Sequence, residues 1–294
     1  MKIRLATAPV SWGVDFAGAP GNPPWSRVLD EIARSGFAWT ELGPIGYLPE
    51  ETLRAELDER GLRVGGSFVF QPLHERARLP HVLAVARRTC RAIAAAGGRH
   101  LVVIDLVAPD RVGTAGRPGA ARRLGDADWL ALIGGIRAVC ELAGDEFGLT
   151  PVLHPHAGSH LEFEDEIERA LAELEPDLAG LCLDTGHCAY AGIDPVALYE
   201  RHAARVPYLH LKDVDPVVHA RVVADRLDFW EAIGAGVFCP LGTGGVDFAA
   251  LAAALARHGF DGWATAEQDR VAGSGDALRD VAAGRRHLEA AGLA

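Results

Sequence analysis

The chain has 294 residues, of which 49% are hydrophobic and 23% charged, with 34 Gly and 17 Pro; this mixture excludes disorder and admits one large α/β domain or two ordinary ones. Forty acidic residues against 29 basic ones leave a formal net charge of -11, a field that repels phosphate backbones and anionic lipid and so argues against nucleic-acid or membrane partners. Five cysteines (Cys90, Cys140, Cys182, Cys188 and Cys239) are spread widely and contain no CxxC pair, which argues against a disulfide scaffold or thiolate zinc site and for a reducing cytoplasm.

The opening stretch MKIRLATAPVSWG has two early positive charges and only a short apolar core, so it reads as a first strand, Arg4–Val10, rather than a signal peptide. A helix follows over Trp25–Gly36, where Val28, Leu29, Ile32 and Ala33 fall on one face. The alternation then repeats. Further strands are predicted at Ala38–Leu42, Arg63–Phe70, His100–Leu106, Thr150–Leu153, Gly180–Leu183, Val206–Leu211 and Gly262–Ala266. Helices are predicted at Pro49–Gly61, Pro80–Gly97, Trp129–Phe147, Phe163–Leu174, Val196–Ala204, Asp247–His258 and Asp276–Ala291. Glycines precede several strands, where a helix C-cap tolerates positive φ, and prolines stand near helix starts. No apolar run reaches the roughly 18 residues of a membrane helix.

Strands alternating with helices in this number match an α/β protein of the (β/α)8 TIM-barrel type, a single domain over residues 1–294. The rival, a doubly wound open sheet, requires a glycine fingerprint after the first strand, and APVSWG contains none. The longer loops Val107–Asp126 and Asp213–Thr243 follow strands and therefore project from the catalytic face.

In such a barrel the active site lies at the C-terminal strand ends. Strand two ends in Glu41 and strand four contains Asp105; strand five ends in His154 and His156, strand six in Asp184 and His187. Strand seven supplies His210, Lys212 and Asp213, and strand eight Glu267. Imidazoles and carboxylates from four consecutive strands are the donor set of a hard or borderline divalent cation. Each residue has a blander reading by itself: a hydrogen-bonded core histidine, a helix-cap Asp184, a surface Lys212–Asp213 pair, a solvated Glu267–Asp269 loop.

The ordered set HPHAG, LDTGH, HLKD and EQD, each closing a strand, resembles the xylose-isomerase-like TIM-barrel superfamily of sugar isomerases and epimerases, which also contains endonuclease IV. TELGPIGYLP and GVFCPLGTGGVDF narrow the resemblance to the inosose dehydratase branch of inositol catabolism. It implies one divalent metal ion, Mn²⁺ or Co²⁺ first and Mg²⁺ or Zn²⁺ as alternatives, held by residues of strands five to eight. Asp184, His210 and Glu267 match the last three positions, and His154 stands where epimerases have Glu. Glu162 is a candidate replacement carboxylate or substrate contact, or simply the start of an acidic helix; His187 is expected near substrate or metal. A homo-oligomer, dimer or tetramer, is a further expectation of the resemblance.

Epimerisation favours two acid–base groups of like kind on opposite faces of an enediolate, so the imidazole at the strand-five position weakens that scheme. Dehydration of a β-hydroxy ketone needs a base for the α-proton and an acid for the departing hydroxide, and a histidine with a pKa near 6.5 serves either role. The expected substrate is a keto-polyol such as 2-keto-myo-inositol (inosose), with isomerisation or epimerisation of a ketose as the alternative and dehydration of 3-dehydroshikimate as a third. His154, His156, Lys212 and Glu267 are the catalytic candidates. Trp12, Glu41, Ser67 and Gln71 are candidate substrate contacts beside Asp15, Phe68, Phe70 and Trp25, with core packing the alternative for the aromatics. The three glycines of PLGTGG lack the lysine of a phosphate loop and read as a turn before a helix.

Overall fold

The strands of this protein are near-continuous apolar runs because helices cover one face of the sheet and packed side chains the other. The computed structural model describes residues 1–294. In chain order, β1 (Lys2–Thr7), β2 (Trp39–Glu41), β3 (Arg63–Gln71), β4 (His100–Asp105), β5 (Thr150–Leu153), β6 (Gly180–Asp184) and β7 (Tyr208–Leu211) are followed by a two-stranded ribbon, β8 (Asp213–Val214) with β9 (Phe238–Cys239), and by β10 (Asp261–Ala266). All but the ribbon pair in parallel as a closed barrel, ordered β1-β10-β7-β6-β5-β4-β3-β2, and the ring closes where Thr7 pairs with Thr40. This is the expected (β/α)8 architecture.

Outside the barrel lie α1 (Trp25–Arg34), α2 (Leu53–Glu59), α3 (Leu79–Ala96), α4 (Asp126–Phe147), α5 (Glu164–Glu173), α7 (Pro195–His202), α10 (Phe248–Arg257) and α11 (Ala277–Ala290). They match the predicted helices, most of them shorter at their ends, whereas α4 begins at Asp126, ahead of the expected Trp129. Gly97 and Gly148 end α3 and α4 in the left-handed conformation, at φ 79° and 62°, where a side chain would be strained. The first strand stops at Thr7 rather than Val10 because Pro9 opens a tight turn, Pro9–Trp12.

Three helices were not predicted: the short α6 (Thr185–Tyr190), and α8 (Pro216–Asp225) and α9 (Phe229–Gly234) inside the expected loop Asp213–Thr243. Asp215 and Asp228 cap α8 and α9, each accepting from backbone N–H groups at 2.8 Å. With the ribbon these helices enclose a small apolar cluster of their own, including Tyr190, Phe229, Ile233 and Phe238.

Alternation along the strands sorts the side chains. Leu153, Leu181, Leu183, Leu209, Leu211, Ala264 and Ala266 belong to the large core shared with the helices. Their alternates Val152, Cys182, Tyr208 and Trp263 join Val102 and Ile104 in a separate cluster that fills the barrel interior.

Candidate active site

The same alternation aims the chemistry. Counting by twos from the interior residues reaches Glu41 from Trp39, His154 from Val152, Asp184 from Cys182, His210 from Tyr208, and Glu267 from Trp263 by way of Thr265. Each apolar plug in the lumen is therefore continued at the C-terminal mouth by a polar residue on the same face. Register completes the arrangement, since His210 lies beside Asp184 on one side and Thr265 on the other.

Asp184 divides its carboxylate between two tasks. Oδ1 accepts from the backbone N–H groups of Gly186 and His187, both at 2.8 Å, and so caps α6. Oδ2 faces the mouth, 3.3 Å from His154 Nε2 and 3.7 Å from His210 Nδ1. His210 Nδ1 lies in turn 3.2 Å from Glu267 Oε2. Burial opposes the Asp184 charge, but Lys212 with His187 and His154 outweighs it and holds the carboxyl well below its ordinary range.

Beneath this layer Glu41 is fully buried, and its Oε1 accepts from Tyr208, His210 and Thr265 at 3.0, 2.9 and 2.8 Å. His210 Nε2 thus carries a proton toward Glu41, while Nδ1 turns toward two carboxylate oxygens and has no hydrogen-bond partner. A ring nitrogen facing two carboxylate oxygens, with a buried carboxylate orienting the imidazole from behind, fits a divalent cation. So does the charge count, for Asp184, Glu267 and Asp269 are buried around a single ammonium, Lys212.

Lys212 is 2% exposed. Its Nζ donates to Asp269 Oδ1 at 2.8 Å and bridges Asp184 and Glu267 at 3.4 and 3.5 Å. Burial alone would release its proton; the three carboxylates more than offset that and keep it charged. Burial lifts Glu267 to about 7 against the pull of His210 and Lys212. His156 is held well below its ordinary value by burial and then by His154 and Lys212. Its Nδ1 lies 2.9 Å from the carbonyl of Ala157, so the neutral ring donates there and leaves Nε2 as the lone-pair nitrogen. The His187 ring packs 4.0 Å from that of His156. A cavity of about 50 Å³ covers the cluster, walled by Phe68, Phe70, Ile104, Phe229 and Trp230.

The structure thus brings together His154, His156, Asp184, His187, His210, Lys212 and Glu267. Other expectations need correction. Glu162 is not at the cluster: its carboxylate accepts from the backbones of Gly116 and Gly158 at 2.6 and 3.0 Å and faces the fully buried Arg111. Trp12 donates to Glu31 at 2.6 Å within the large core, and Ser67 donates to the carbonyl of Gly43 at 2.8 Å. Glu41 orients His210 from below, and Gln71, paired with Asp105 at the strand ends, is not among the cavity walls. The Lys212–Asp213 surface pair does not exist. Asp213 instead accepts from the backbones of Gly242, Gly244 and Val246 at 2.9, 2.9 and 3.0 Å, which is what shapes the PLGTGG turn. Asp269, the last residue of the EQD motif, does not take the blander reading of a solvated loop: it is 6% exposed and pairs with Lys212. Phe229, Trp230 and Ile233 on α9 were also missed as cavity residues, because the segment carrying them was read as a loop.

Comparison with known proteins places these features among relatives. Residues 29–291 match the family model described as a xylose isomerase-like TIM barrel. The chain is 33% identical over 275 residues to an inosose dehydratase of Geobacillus kaustophilus, covering 91% of this chain and 88% of that one. It is 32% identical to the rhizopine catabolism protein MocC of Rhizobium meliloti, covering 92% and 82% respectively. Among solved structures, the IOLI protein with a binding zinc atom superposes with a TM-score of 0.73 at 13% identity, covering 99% of this chain and 98% of its own.

Proposed function

The chain belongs to the xylose isomerase-like TIM barrel family, and on that footing we propose that it is a metal-dependent lyase that dehydrates a keto-polyol such as 2-keto-myo-inositol. The observation that carries this reading is the unlike pair of proton-transfer groups at the mouth: neutral imidazoles, led by His156, and a buried ammonium, Lys212. Epimerisation is served by matched groups on opposite faces of the substrate, whereas elimination of water needs a base on one bond and an acid on another. The inosose dehydratases among the relatives agree with it.

His154, Asp184, His210 and Glu267 would hold a divalent cation, Mn²⁺ or Co²⁺ ahead of Mg²⁺ or Zn²⁺, which would supply Lewis acidity for enolate formation. His156 Nε2 takes the α-proton, with Glu267 or His154 as the alternative base. Lys212 delivers a proton to the departing hydroxyl or stabilises oxyanion charge as a compact point cation. Asp269 holds that ammonium in place, and the aromatic walls exclude water around it. We take the working compartment to be the reducing cytoplasm, which suits five buried, unpaired cysteines.

The test is incubation of inosose with metal-loaded protein. Dehydration forms a diketone chromophore; a stereoisomer of unchanged mass would mean epimerisation and overturn the reading. Glu267→Gln and Asp184→Asn are each expected to lower kcat by about 10²-fold or more, and wild-type activity in either would reject the metal site.

A further inference from the structure

One wall of the cavity carries a carboxyl that the protein itself leaves unengaged. Asp15 lines the cavity from the loop after β1 and has no side-chain hydrogen bond or ion pair to protein. Its place is fixed. Gly13 adopts φ 82°, and a Cβ there would meet the Cα of Ala272 at 2.4 Å, so the loop bearing Asp15 is locked against the loop that follows β10. That second loop bears Asp269. Asp269 Oδ1 is taken by Lys212, but Oδ2 is buried without a hydrogen-bond partner, with His187 Nε2 no nearer than 3.8 Å, while the residue lines the same cavity. An unsatisfied buried carboxylate oxygen is costly unless a ligand supplies its donor. The two groups feel each other: burial, then the charge of Asp269, lift Asp15 to about 7, with Lys212 pulling the other way.

We propose that Asp15 and Asp269 form a subsite for substrate hydroxyl groups beside the Lys212 ammonium, and that this subsite sets specificity for neutral, unphosphorylated polyols. Carboxylate oxygens accept from hydroxyls, and a protonated carboxyl also donates, so the pair reads neighbouring hydroxyl groups in either sense. A phosphate ester would meet these acids as a like charge, and Lys212, already surrounded by carboxylates, is the only lysine or arginine lining the cavity. Because Asp15 has no protein partner, replacing it removes no contact on which the fold depends.

The identity of the substrate rests on the dehydratase reading, and the test separates the two claims. Binding of myo-inositol, which has no ketone and cannot react, is measured calorimetrically for wild type, Asp15→Asn and Asp15→Leu; kcat and KM are measured with inosose and with its monodeoxy analogues. Asp15→Leu is expected to weaken myo-inositol binding and raise the inosose KM by about 10- to 100-fold with kcat within about threefold, and Asp15→Asn to lose less. Wild type should reject at least one monodeoxy analogue strongly, and Asp15→Leu should lose that discrimination. Unchanged binding and discrimination in Asp15→Leu would overturn the subsite, as would wild-type binding of a phosphorylated ketose as tight as that of its neutral parent. A wild-type protein that leaves inosose unreacted but binds myo-inositol through Asp15 would refute the dehydratase reading and leave the subsite standing.

Discussion

At the scale of single residues, the site was legible because its members close strands: Asp184, His210 and Glu267 are polar full stops to apolar runs, and period-two geometry carries them into one mouth. What a one-dimensional reading could not supply was depth. Glu41 also closes a strand, yet it sits one layer below the cavity, where its Oε1 serves three donors. Its work is to fix which nitrogen of His210 carries a proton. Glu41→Gln keeps the shape and loses the charge, so divalent-metal affinity measured by calorimetric titration should fall about 10- to 100-fold, as when carboxylate partners of metal-binding imidazoles are removed. Unchanged affinity would show that His210 is oriented by packing alone. Trp12 and Glu162 misled for a similar reason: an aromatic and a carboxylate beside a motif look functional until their partners, Glu31 and Arg111, are seen.

At the scale of elements, the barrel strands emerged with small errors at their ends, because apolar runs bounded by glycine and proline are a local signal. The Asp213–Thr243 part of the β7–β10 connection did not. Its α9 is six residues long, and what stabilises it is contact with Tyr190 and Phe238 rather than its own periodicity. The junction of β6 and α6 shows how closely elements approach here. Asp184 caps α6, and a Cβ on Gly186 would meet the Lys212 Cγ and Cβ at 2.6 and 2.7 Å. The position needs glycine for space, since its φ is not in the left-handed region. Gly186→Ala must therefore push the Lys212 stem away from its carboxylates while leaving the cap intact. A displacement of about 1 Å at a reacting group costs on the order of 10²-fold in rate, so kcat on inosose should fall by that order with secondary structure retained by circular dichroism. Undiminished kcat would mean that the ammonium is not placed by this contact.

At the scale of the whole molecule, the two ends of the barrel divide the labour between chemistry and stability. The mouth gathers charge, whereas the floor stacks Arg4 and Arg63 over Trp263 and Trp39 and buries His100, which opens β4 and packs against Tyr208 and Trp263 with ring centroids 5.0 and 5.8 Å away. Its place at the start of a strand, where the histidines of the mouth close theirs, sets it apart in the sequence. Burial pushes its pKa down from 6.5 to about 4, with a backbone contact to Gly65 and the charge of Glu41 opposing. The folded protein therefore keeps the ring neutral over a range in which the unfolded chain protonates it, so the unfolded state binds more protons and stability rises with pH there. Read downward, this contribution is complete above about pH 6.5 and lost as pH falls toward 4, a change of roughly 3 kcal/mol. Denaturant titrations at pH 7 and at pH 4.5 should show wild type losing more stability than His100→Gln over that interval, whatever the variant's stability at pH 7. Carboxylates elsewhere contribute equally to both proteins, so the difference in slope isolates the floor histidine. Equal losses would mean that His100 takes up its proton inside the folded barrel, and that the floor is open to water.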